Sequence, residues 1–439
     1  MKRLIQTIKN IWKIEDLRFR IITTLWFILI YRIGSYIALP GIDAKALHEQ
    51  AGSKSGGIFG LIDIFAGGAF NRASIFALGI MPYITASIIV QLLTMAVPYF
   101  QKLQKEGESG RRQLNSYTRF LTVGVCLFQS FGYIIYVKNL GAEVLIPDFL
   151  FRISTMVVLT AGTIFTMWMG EKIQDKGIGN GISLLIMIGI MARLPFAIGN
   201  EFSSRLNEGG GLITFIIEIA ALLGVIVVTI MLVQGTRKIP VNYAKRIVGN
   251  KQYGGVRNYI PLKVNAAGVM PIIFAQALMF IPATVMQVTN NVTSANIFTD
   301  NTNFWHNLVF SFLIVAFTYF YTALIINPIQ MADEMKRNGG FIPGIKPGRK
   351  TAEYIDSIMS KITLPGALFL AFVAIMPGFA SLFGVSTSFA AFFGGTSLLI
   401  TVGVILDTLQ QIESHLLMRH YDGLMKSGRI KGRTQVPTM

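Results

Sequence analysis

The chain has 439 residues, of which 52% are hydrophobic and 14% are charged, and its formal net charge at pH 7 is +17. Ordinary soluble domains carry about 25% charged residues. The composition therefore excludes a soluble globular protein and indicates a protein that crosses a membrane several times.

The N-terminal residues 1–20 carry six Lys and Arg among apolar residues at helical spacing, which predicts a helix on the inner membrane surface. Ten mostly apolar runs follow, and a helix needs about 20 such residues to cross a bilayer. The runs lie near residues 21–39, 73–95, 118–137, 151–169, 180–198, 212–233, 267–287, 307–327, 363–383 and 392–411. We therefore predict an all-α integral membrane protein with ten transmembrane helices.

The basic residues indicate which connections are cytoplasmic. Of the 39 Lys and Arg residues, 31 fall in six segments, residues 1–20, 96–119, 170–179, 234–266, 328–362 and 412–439. Cytoplasmic loops of membrane proteins are enriched in Lys and Arg. We predict that these segments and both termini are cytoplasmic, as an even number of spans requires.

A short apolar piece, Ile58 to Phe70, precedes the second span and is joined to it by Gly67, Gly68, Asn71 and Arg72. At about 1.5 Å per residue it is too short to cross a bilayer. One interpretation is a re-entrant plug helix, and irregular backbone beside it would then line an aqueous interior. The alternative is an amphipathic helix at the membrane interface.

Two pairs of isoleucines recur at helical spacing, Ile80 with Ile84 in the second span and Ile182 with Ile186 in the fifth. Residues four apart lie on one helix face. Isoleucine is stiff and has no hydrogen-bonding group, so several converging at one level would form a narrow, dry constriction. The alternative is that these side chains face lipid or packed neighbours.

The second and seventh spans share a short pattern. Gly79 to Ile84 reads GIMPYI, and Gly268 to Ile273 reads GVMPII. Because the two spans cross in opposite directions, the pattern predicts two inverted halves of five helices, with interrupted helices at the central site. We place the N-terminal half at residues 1–200 and the C-terminal half at 201–439.

Two cytoplasmic loops, residues 234–266 and 328–362, are long and basic. Polar loops of this length usually have a function. Basic residues interleaved with aromatics suit RNA phosphates and bases, or an acidic protein surface, so we interpret the loops as a docking platform. The alternative, that positive charge only sets the topology, explains the charge but not the length.

No pattern for nucleotide or metal binding is complete, and the four histidines lack metal-ligand spacing, so we predict no cofactor and no enzymatic activity. Glu218 is the only carboxylate well inside a predicted span. Ion-coupled carriers generally need buried acids as relays. One glutamate gives weak support to an inverted-repeat small-solute carrier, which is the alternative function.

Several long stretches resemble the SecY family, the central subunits of bacterial protein-conducting channels, in order along nearly the whole chain. They are RIGSYIALPGID, FAGGAFNRASIFALGIMPYITASIIVQLL, KEGESGRR, GEKIQDKGIGNGIS, VNYAKR, PLKVNAAGVMP, FYTALIINP, FIPGIKPG, TAEYIDSIM and FGGTSLLI. The resemblance implies a ten-helix clamshell of two inverted five-helix halves, with an hourglass pore and a lateral opening to lipid. It implies a passive channel that translocates unfolded secretory proteins across the bacterial inner membrane and releases apolar segments into lipid.

The resemblance also implies roles for particular residues of this chain. The hydrophobic pore ring falls on Ile80, Ile84, Ile182, Ile186, Ile273 and Ile400. The plug falls on about residues 57–72, with Ile58, Phe59, Leu61, Ile62, Asp63, Ile64, Phe65, Gly67 and Gly68. Polar residues near the lateral gate are Thr85, Gln91, Asn180 and Asn265.

Docking by ribosomes and by the SecA motor ATPase is implied for the two long loops. The basic residues concerned are Arg237, Lys238, Lys245, Arg246, Lys251, Arg257, Lys346, Arg349 and Lys350. Other implied partners are the SecE and SecG subunits, signal peptides and nascent polypeptides, SecDF, YidC and membrane lipid. One residue departs from the family pattern, because relatives commonly read PGIRPG where this chain has Lys346. Lysine keeps the charge but lacks the planar bidentate fork of arginine.

Overall fold

The computed structural model describes residues 12, 14–42, 63–139, 147–208, 211–243, 246–248, 251–253, 257–276, 278–279 and 303–427. Helices make up most of this part of the chain. They are α1 (Glu15–Gly34), α2 (Met81–Ala96), α3 (Pro98–Lys105), α4 (Glu108–Asn139), α5 (Asp148–Lys176), α6 (Gly181–Glu208), α7 (Gly211–Gln234), α8 (Phe304–Ile325), α9 (Pro328–Arg337), α10 (Arg349–Leu382), α11 (Thr387–Ala390) and α12 (Gly395–Ser427). Residues 270–276 are also helical.

Seven helices of the described residues are long and apolar enough to cross a membrane, and an eighth is obtained if α2 and α3 count as one broken span. These two helices meet at an angle of 99°. The predicted first span falls on α1, whereas only the first part of the predicted seventh span, 267–287, lies among the described residues. The helical fold class is thus the one expected from the sequence.

The predicted second span begins later than expected. Residues 73–80 form turns, and the helix starts at Met81, with Pro82 in its first turn. Gly79 has a φ of 52°, a left-handed conformation that glycine adopts without strain, and its carbonyl accepts a hydrogen bond from the hydroxyl of Thr166 in α5. The apolar run predicted a helix from residue 73, but the backbone turns before Pro82 starts the helix.

Within each half, helices that are near one another in the chain pack side by side. In the first half, α2 packs against α4, α4 against α5, and α5 against α6, whereas in the second half α8 packs against α10. The halves meet where α6 packs against α7 and α12. Helix α6 runs through the predicted boundary at residue 200 and ends at Glu208.

The two long loops contain β-strands, which the all-helical prediction missed. Strand β1 (Thr236–Tyr243) pairs antiparallel with β4 (Arg257–Lys263), and β2 (Arg246–Val248) pairs with β3 (Lys251–Tyr253). The second loop contributes β5 (Gly340–Phe341), which pairs with the end of β1. Backbone pairing therefore joins the two loops into one sheet of order β4-β1-β5.

Candidate functional site

The six predicted ring isoleucines are buried or partly buried, and all belong to, or pack against, one large hydrophobic cluster. Ile80, Ile186 and Ile400 are buried members of the main hydrophobic cluster, and their exposed fractions are 7%, 3% and 2%. The other three, Ile84, Ile182 and Ile273, are partly buried and pack against the same cluster. Ile80 with α2, α6, residues 270–276 and α12 thus contribute the ring isoleucines to one hydrophobic cluster, which extends well beyond these residues.

Local sequence explains how the first pair is placed. Ile80 is the residue that precedes α2, and its carbonyl accepts the N–H of Ile84 at 3.1 Å. Both side chains therefore lie on the first turn of one helix. Pro82 favours a helix start at this point because it needs no hydrogen-bond acceptor for a backbone N–H.

The described part of the predicted plug is held by a buried carboxylate. Asp63 is fully buried, and its Oδ1 accepts the backbone N–H of Asn71 at 2.9 Å. Its Oδ2 accepts the side-chain amide of Asn71 at 3.0 Å and is paired with the guanidinium of Arg193 in α6. Hydrogen bonds to a charged group are about twice as strong as neutral ones, so Asp63 is firmly fixed.

Residues 63–74, which we call the plug root, are helical only at 63–65 and continue in turns. The predicted plug residues Ile58, Phe59, Leu61 and Ile62 lie outside the described residues. The hydroxyl of Tyr133 in α4 donates to the carbonyl of Phe70 at 2.8 Å, and the N–H of Leu39 donates to the carbonyl of Ala73 at 2.7 Å. The plug root is therefore anchored to several elements of the first half.

The plug root also lies very close to the backbone of α6. A Cβ added at Gly189 would lie 2.5 Å from the carbonyl oxygen of Phe65 and 3.2 Å from the amide nitrogen of Gly67. Real side chains do not approach backbone so closely. Gly189 is therefore required for the contact between α6 and the plug root.

Two arginines bind the glycine carbonyls of the plug root. Arg72 donates from Nη2 to the carbonyl of Gly67 at 2.7 Å and from Nε to the carbonyl of Gly68 at 2.8 Å. Arg32 in α1 donates to the same Gly67 carbonyl at 3.4 Å. The guanidinium of Arg72 also lies 4.1 Å from the ring centroid of Tyr36, a cation–π geometry.

A second cluster marks the predicted lateral gate. Ile88 of α2 packs with Ala267, Phe274 and Tyr321, which come from the seventh span and α8. The hydroxyl of Tyr321 donates to Oε1 of Gln91 at 2.8 Å. Both apolar packing and one polar bond therefore cross the seam between the first and second halves.

The other predicted gate residues have different surroundings. The hydroxyl of Thr85 donates to the carbonyl of Met81 in its own helix, and Asn180 is exposed and accepts the N–H of Ser183 at the start of α6. Asn265 is buried, and its Oδ1 has no hydrogen-bond partner among the described residues. Among the described contacts of these four residues, only that of Gln91 with Tyr321 is a side-chain hydrogen bond to the other half.

The described residues of the predicted docking set lie in the strands of the two sheets, in the loop before α10 and at the start of α10. Arg237, Lys238, Lys346, Arg349 and Lys350 are exposed. Lys245 lies outside the described residues, and for Arg246, Lys251 and Arg257 the structure describes only their place in strands. Beneath the sheet, Ile239, Val241 and Leu262 pack with side chains of α9 and α10, so the platform has its own small core.

Sequence reasoning missed three residues that hold these sites together. Arg193, Gly189 and Tyr321 contact the plug root or the seam, as described above. The sequence could have indicated an ion pair at Arg193, because an arginine at the end of an apolar span needs a partner of opposite charge. Tyr321 lies in the stretch FYTALIINP but has no distinguishing local pattern, and Gly189 has none either.

Glu218 does not face an open polar site. Its Oε1 accepts a hydrogen bond of 2.6 Å from Arg205, and its side chain is 8% exposed. No group of three or more His, Cys, Asp or Glu residues that could hold a metal occurs among the described residues. This placement does not favour the carrier alternative.

Comparison with known proteins identifies the family. The family model for SecY matches residues 74–409. A protein translocase subunit SecY of Streptomyces scabiei is 44% identical over 433 residues, which cover 94% of this chain and 98% of the relative. A subunit of the same name from Corynebacterium glutamicum is 42% identical over 449 residues, covering 97% of this chain and all of the relative.

Solved structures show the same fold. A protein-conducting channel matches with a TM-score of 0.66 at 17% identity, covering 94% of this chain and 95% of the other. Sec61 in the canine ribosome-channel complex from the endoplasmic reticulum matches with a TM-score of 0.62 at 16% identity, with the same coverage of both chains. The small-solute carrier is not favoured, and the chain belongs to the SecY family of protein-conducting channels, which are translocase subunits and not enzymes.

Proposed function

We propose that the six isoleucines form the constriction through which this channel passes an unfolded polypeptide. The observation that supports the proposal is that α2 with the preceding Ile80, α6, residues 270–276 and α12 all contribute these isoleucines to one hydrophobic cluster. Apolar contact excludes water and ions without selecting a sequence. Branched side chains on four separate segments can move apart for a chain and return behind it.

The plug root supports a resting seal beside this ring. Phe65 and Ile80 belong to the same hydrophobic cluster as the ring residues. Asp63, paired with Arg193 and bonded to Asn71, keeps the root on α6. In this proposal the plug covers the ring from the external side until a polypeptide displaces it.

Lateral release uses the seam between α2 on one side and the seventh span and α8 on the other. The contact is mostly apolar, with Ile88, Phe274 and Tyr321 in one cluster, and the bond between Gln91 and Tyr321 is its polar component. An apolar segment in the pore can pack against the side chains of the seam in place of their contacts with each other. Separation of the two halves there would open a path to lipid.

Direction and energy come from partners in this proposal, because the sequence has no complete nucleotide-binding motif. We place the channel in the bacterial inner membrane with both termini cytoplasmic. We move the division between the halves from the expected residue 200 to the end of α6 at Glu208, because α6 runs through residue 200. The exposed Arg237, Lys238 and Lys346 would dock the ribosome or the SecA motor. The SecE and SecG subunits would complete the channel, with SecDF and YidC as further partners, and signal peptides would enter at the seam.

Crosslinking to a stalled substrate tests the proposal. An export substrate is arrested in the channel, and single cysteines replace each ring isoleucine in turn in a Cys126→Ser background. We expect crosslinks to the translocating chain from all six positions and none from Ile405→Cys, whose side chain is 40% exposed on α12. Crosslinks absent from the ring positions would overturn the proposal.

A further inference from the structure

The short connection between α5 and α6, residues 177–180, is held by side chains of two other helices. In α1, Oγ1 of Thr24 accepts the N–H of Ile178 at 3.1 Å. In α12, Oε1 of Gln411 accepts the N–H of Gly179 at 2.8 Å. Gln411 and Gly179 are 232 positions apart in the chain. The second bond therefore ties the connection to a distant helix, and it belongs to none of the ring, the plug root and the seam.

The connection lies directly against one face of α12. A Cβ added at Gly179 would lie 2.6 Å from Cγ2 of Thr408. Residues spaced by three or four positions share a face of a helix. One face of α12 accordingly carries Ile400, Val404, Thr408 and Gln411. At 3.6 residues per turn, Gln411 is about three turns from Ile400 on that face. The face that supplies a ring isoleucine therefore also holds the connection.

The connection determines where α6 begins. The helix starts two residues after Gly179, and the ring residues Ile182 and Ile186 lie in its first two turns. Backbone hydrogen bonds make the turns of a helix move together, so a shift of the connection also moves both side chains. Because Gln411 and Ile400 belong to one helix, the bond from Gln411 fixes these two isoleucines relative to Ile400.

We propose that Gln411 is a positioning residue for the ring, because its bond to Gly179 keeps the start of α6 in place beside α12. The inference rests on the proposed function, since the positions of the isoleucines matter only if they form the constriction. Gly179 is buried, so without an acceptor its N–H is left unpaired or the connection shifts toward water. Gln411 itself is exposed, so its replacement removes the bond with little loss of packing.

Two substitutions at position 411 separate the bond from the size of the side chain. Gln411→Met keeps a long, unbranched side chain but removes the oxygen that accepts the N–H. Gln411→Glu keeps an oxygen that can accept it. Gln410→Met is the matched control, because Gln410 is the preceding residue of α12, is exposed, and points about 100° away around the helix.

Two measurements on purified, reconstituted channels follow the bond and its effect on the ring. Hydrogen exchange, read by mass spectrometry on peptides that contain residues 177–181, reports on the connection. Ion conductance at rest, expressed per folded channel, reports on the ring. We expect Gln411→Met to speed exchange in these peptides and to raise resting conductance about threefold, the order expected for loss of one hydrogen bond. Gln411→Glu and Gln410→Met should leave both quantities unchanged.

The possible results distinguish the bond, the ring and the proposed function. Unchanged exchange in Gln411→Met would overturn the inference, and so would faster exchange with unchanged conductance, since the connection would then not position the ring. Equal rises in Gln411→Met and Gln411→Glu would also overturn it, because the acceptor would be irrelevant. Ile400→Asn, measured in the same bilayers, tests the ring itself. Unchanged conductance there would count against the proposed function, whereas a rise there without one in Gln411→Met would count against the positioning role alone.

Discussion

The hydroxyl of Tyr321 in α8 donates a hydrogen bond of 2.8 Å to Oε1 of Gln91 in α2. These residues are 230 positions apart in the chain. Apolar side chains surround them, with Ile88 and Phe274 in the same cluster as Tyr321. A polar bond in apolar surroundings has few competing partners, so it favours one arrangement of the two helices.

Tyr321→Phe should make the seam open more easily. The substitution removes the hydroxyl and keeps the ring, and one such bond contributes about 0.5 to 1.5 kcal/mol. We expect the open fraction to rise roughly two- to tenfold, which can be measured as export of a precursor with a weakened signal peptide. Tyr319→Phe, in the same helix, is the control. Equal export by the two variants would show that the bond does not hold the seam closed.

Replacement of a ring isoleucine with a polar residue should increase ion conductance at rest. Ile400 is 2% exposed and Ile405, in the same helix, is 40% exposed. Burying an unpaired amide costs roughly 1 to 3 kcal/mol, so an amide in the ring should favour entry of water there. Ile400→Asn should therefore raise the conductance of reconstituted bilayers about tenfold, whereas Ile405→Asn should not. A membrane scaffold without a pore would give unchanged conductance in both variants.

Arg193→Gln should release the plug root. Asp63 is fully buried, and a third of the side chain of Arg193 is exposed, so loss of the pair should cost roughly 3 kcal/mol, the low end for buried pairs. Resting ion conductance is the measurement, and it should rise. The double variant Asp63→Asn, Arg193→Gln leaves no unpaired charge and should recover part of the seal. A double variant with higher resting conductance than Arg193→Gln would show that the ion pair of Asp63 and Arg193 does not hold the plug root in place.

The positions of the apolar spans could be predicted from the sequence because they depend on local composition. Hydropathy identifies runs of the right length, and among the described residues the start of α2 at Met81 is one departure from it. There, a φ of 52° at Gly79 and the bond from Thr166 stabilise a turn in an apolar stretch. Hydropathy does not detect a turn that is held by a partner in another helix.

Contacts between distant segments could not be predicted in the same way. Strand β5 pairs Phe341 with Asn242, and no local pattern in its two residues indicates this partner. Likewise, the sequence shows only that Glu218 lies within a predicted span, whereas its contact with Arg205 depends on how α6 and α7 pack. Only the family resemblance implies the six ring positions, because isoleucine spacing alone does not distinguish a pore from lipid contact.

Reversal of charge on the docking platform should weaken binding of a ribosome or of the SecA motor. Lys346 is exposed in the loop before α10. Interactions between exposed charges are screened by salt, with a Debye length of about 10 Å at 0.1 M. We expect Lys346→Glu to reduce binding at low salt and to differ less from the unsubstituted channel at high salt. Lys105→Glu is the control, because Lys105 is exposed at the end of α3, outside both platform loops. Normal salt-dependent binding by Lys346→Glu would exclude this residue from docking.

Gly189→Ala should disturb the contact between α6 and the plug root. The added Cβ would lie 2.5 Å from the carbonyl oxygen of Phe65, so α6 or the root must shift, and overpacking of this kind costs about 1 to 3 kcal/mol. Gly199 lies in the same helix, and a Cβ there meets nothing within 4 Å. Gly199→Ala should leave the channel as stable or more stable by up to about 1 kcal/mol, because alanine favours helix more than glycine. Thermal unfolding and resting conductance, measured on both variants, should separate them: higher conductance and lower stability are expected for Gly189→Ala alone, and identical behaviour would show that α6 and the plug root are not in close contact.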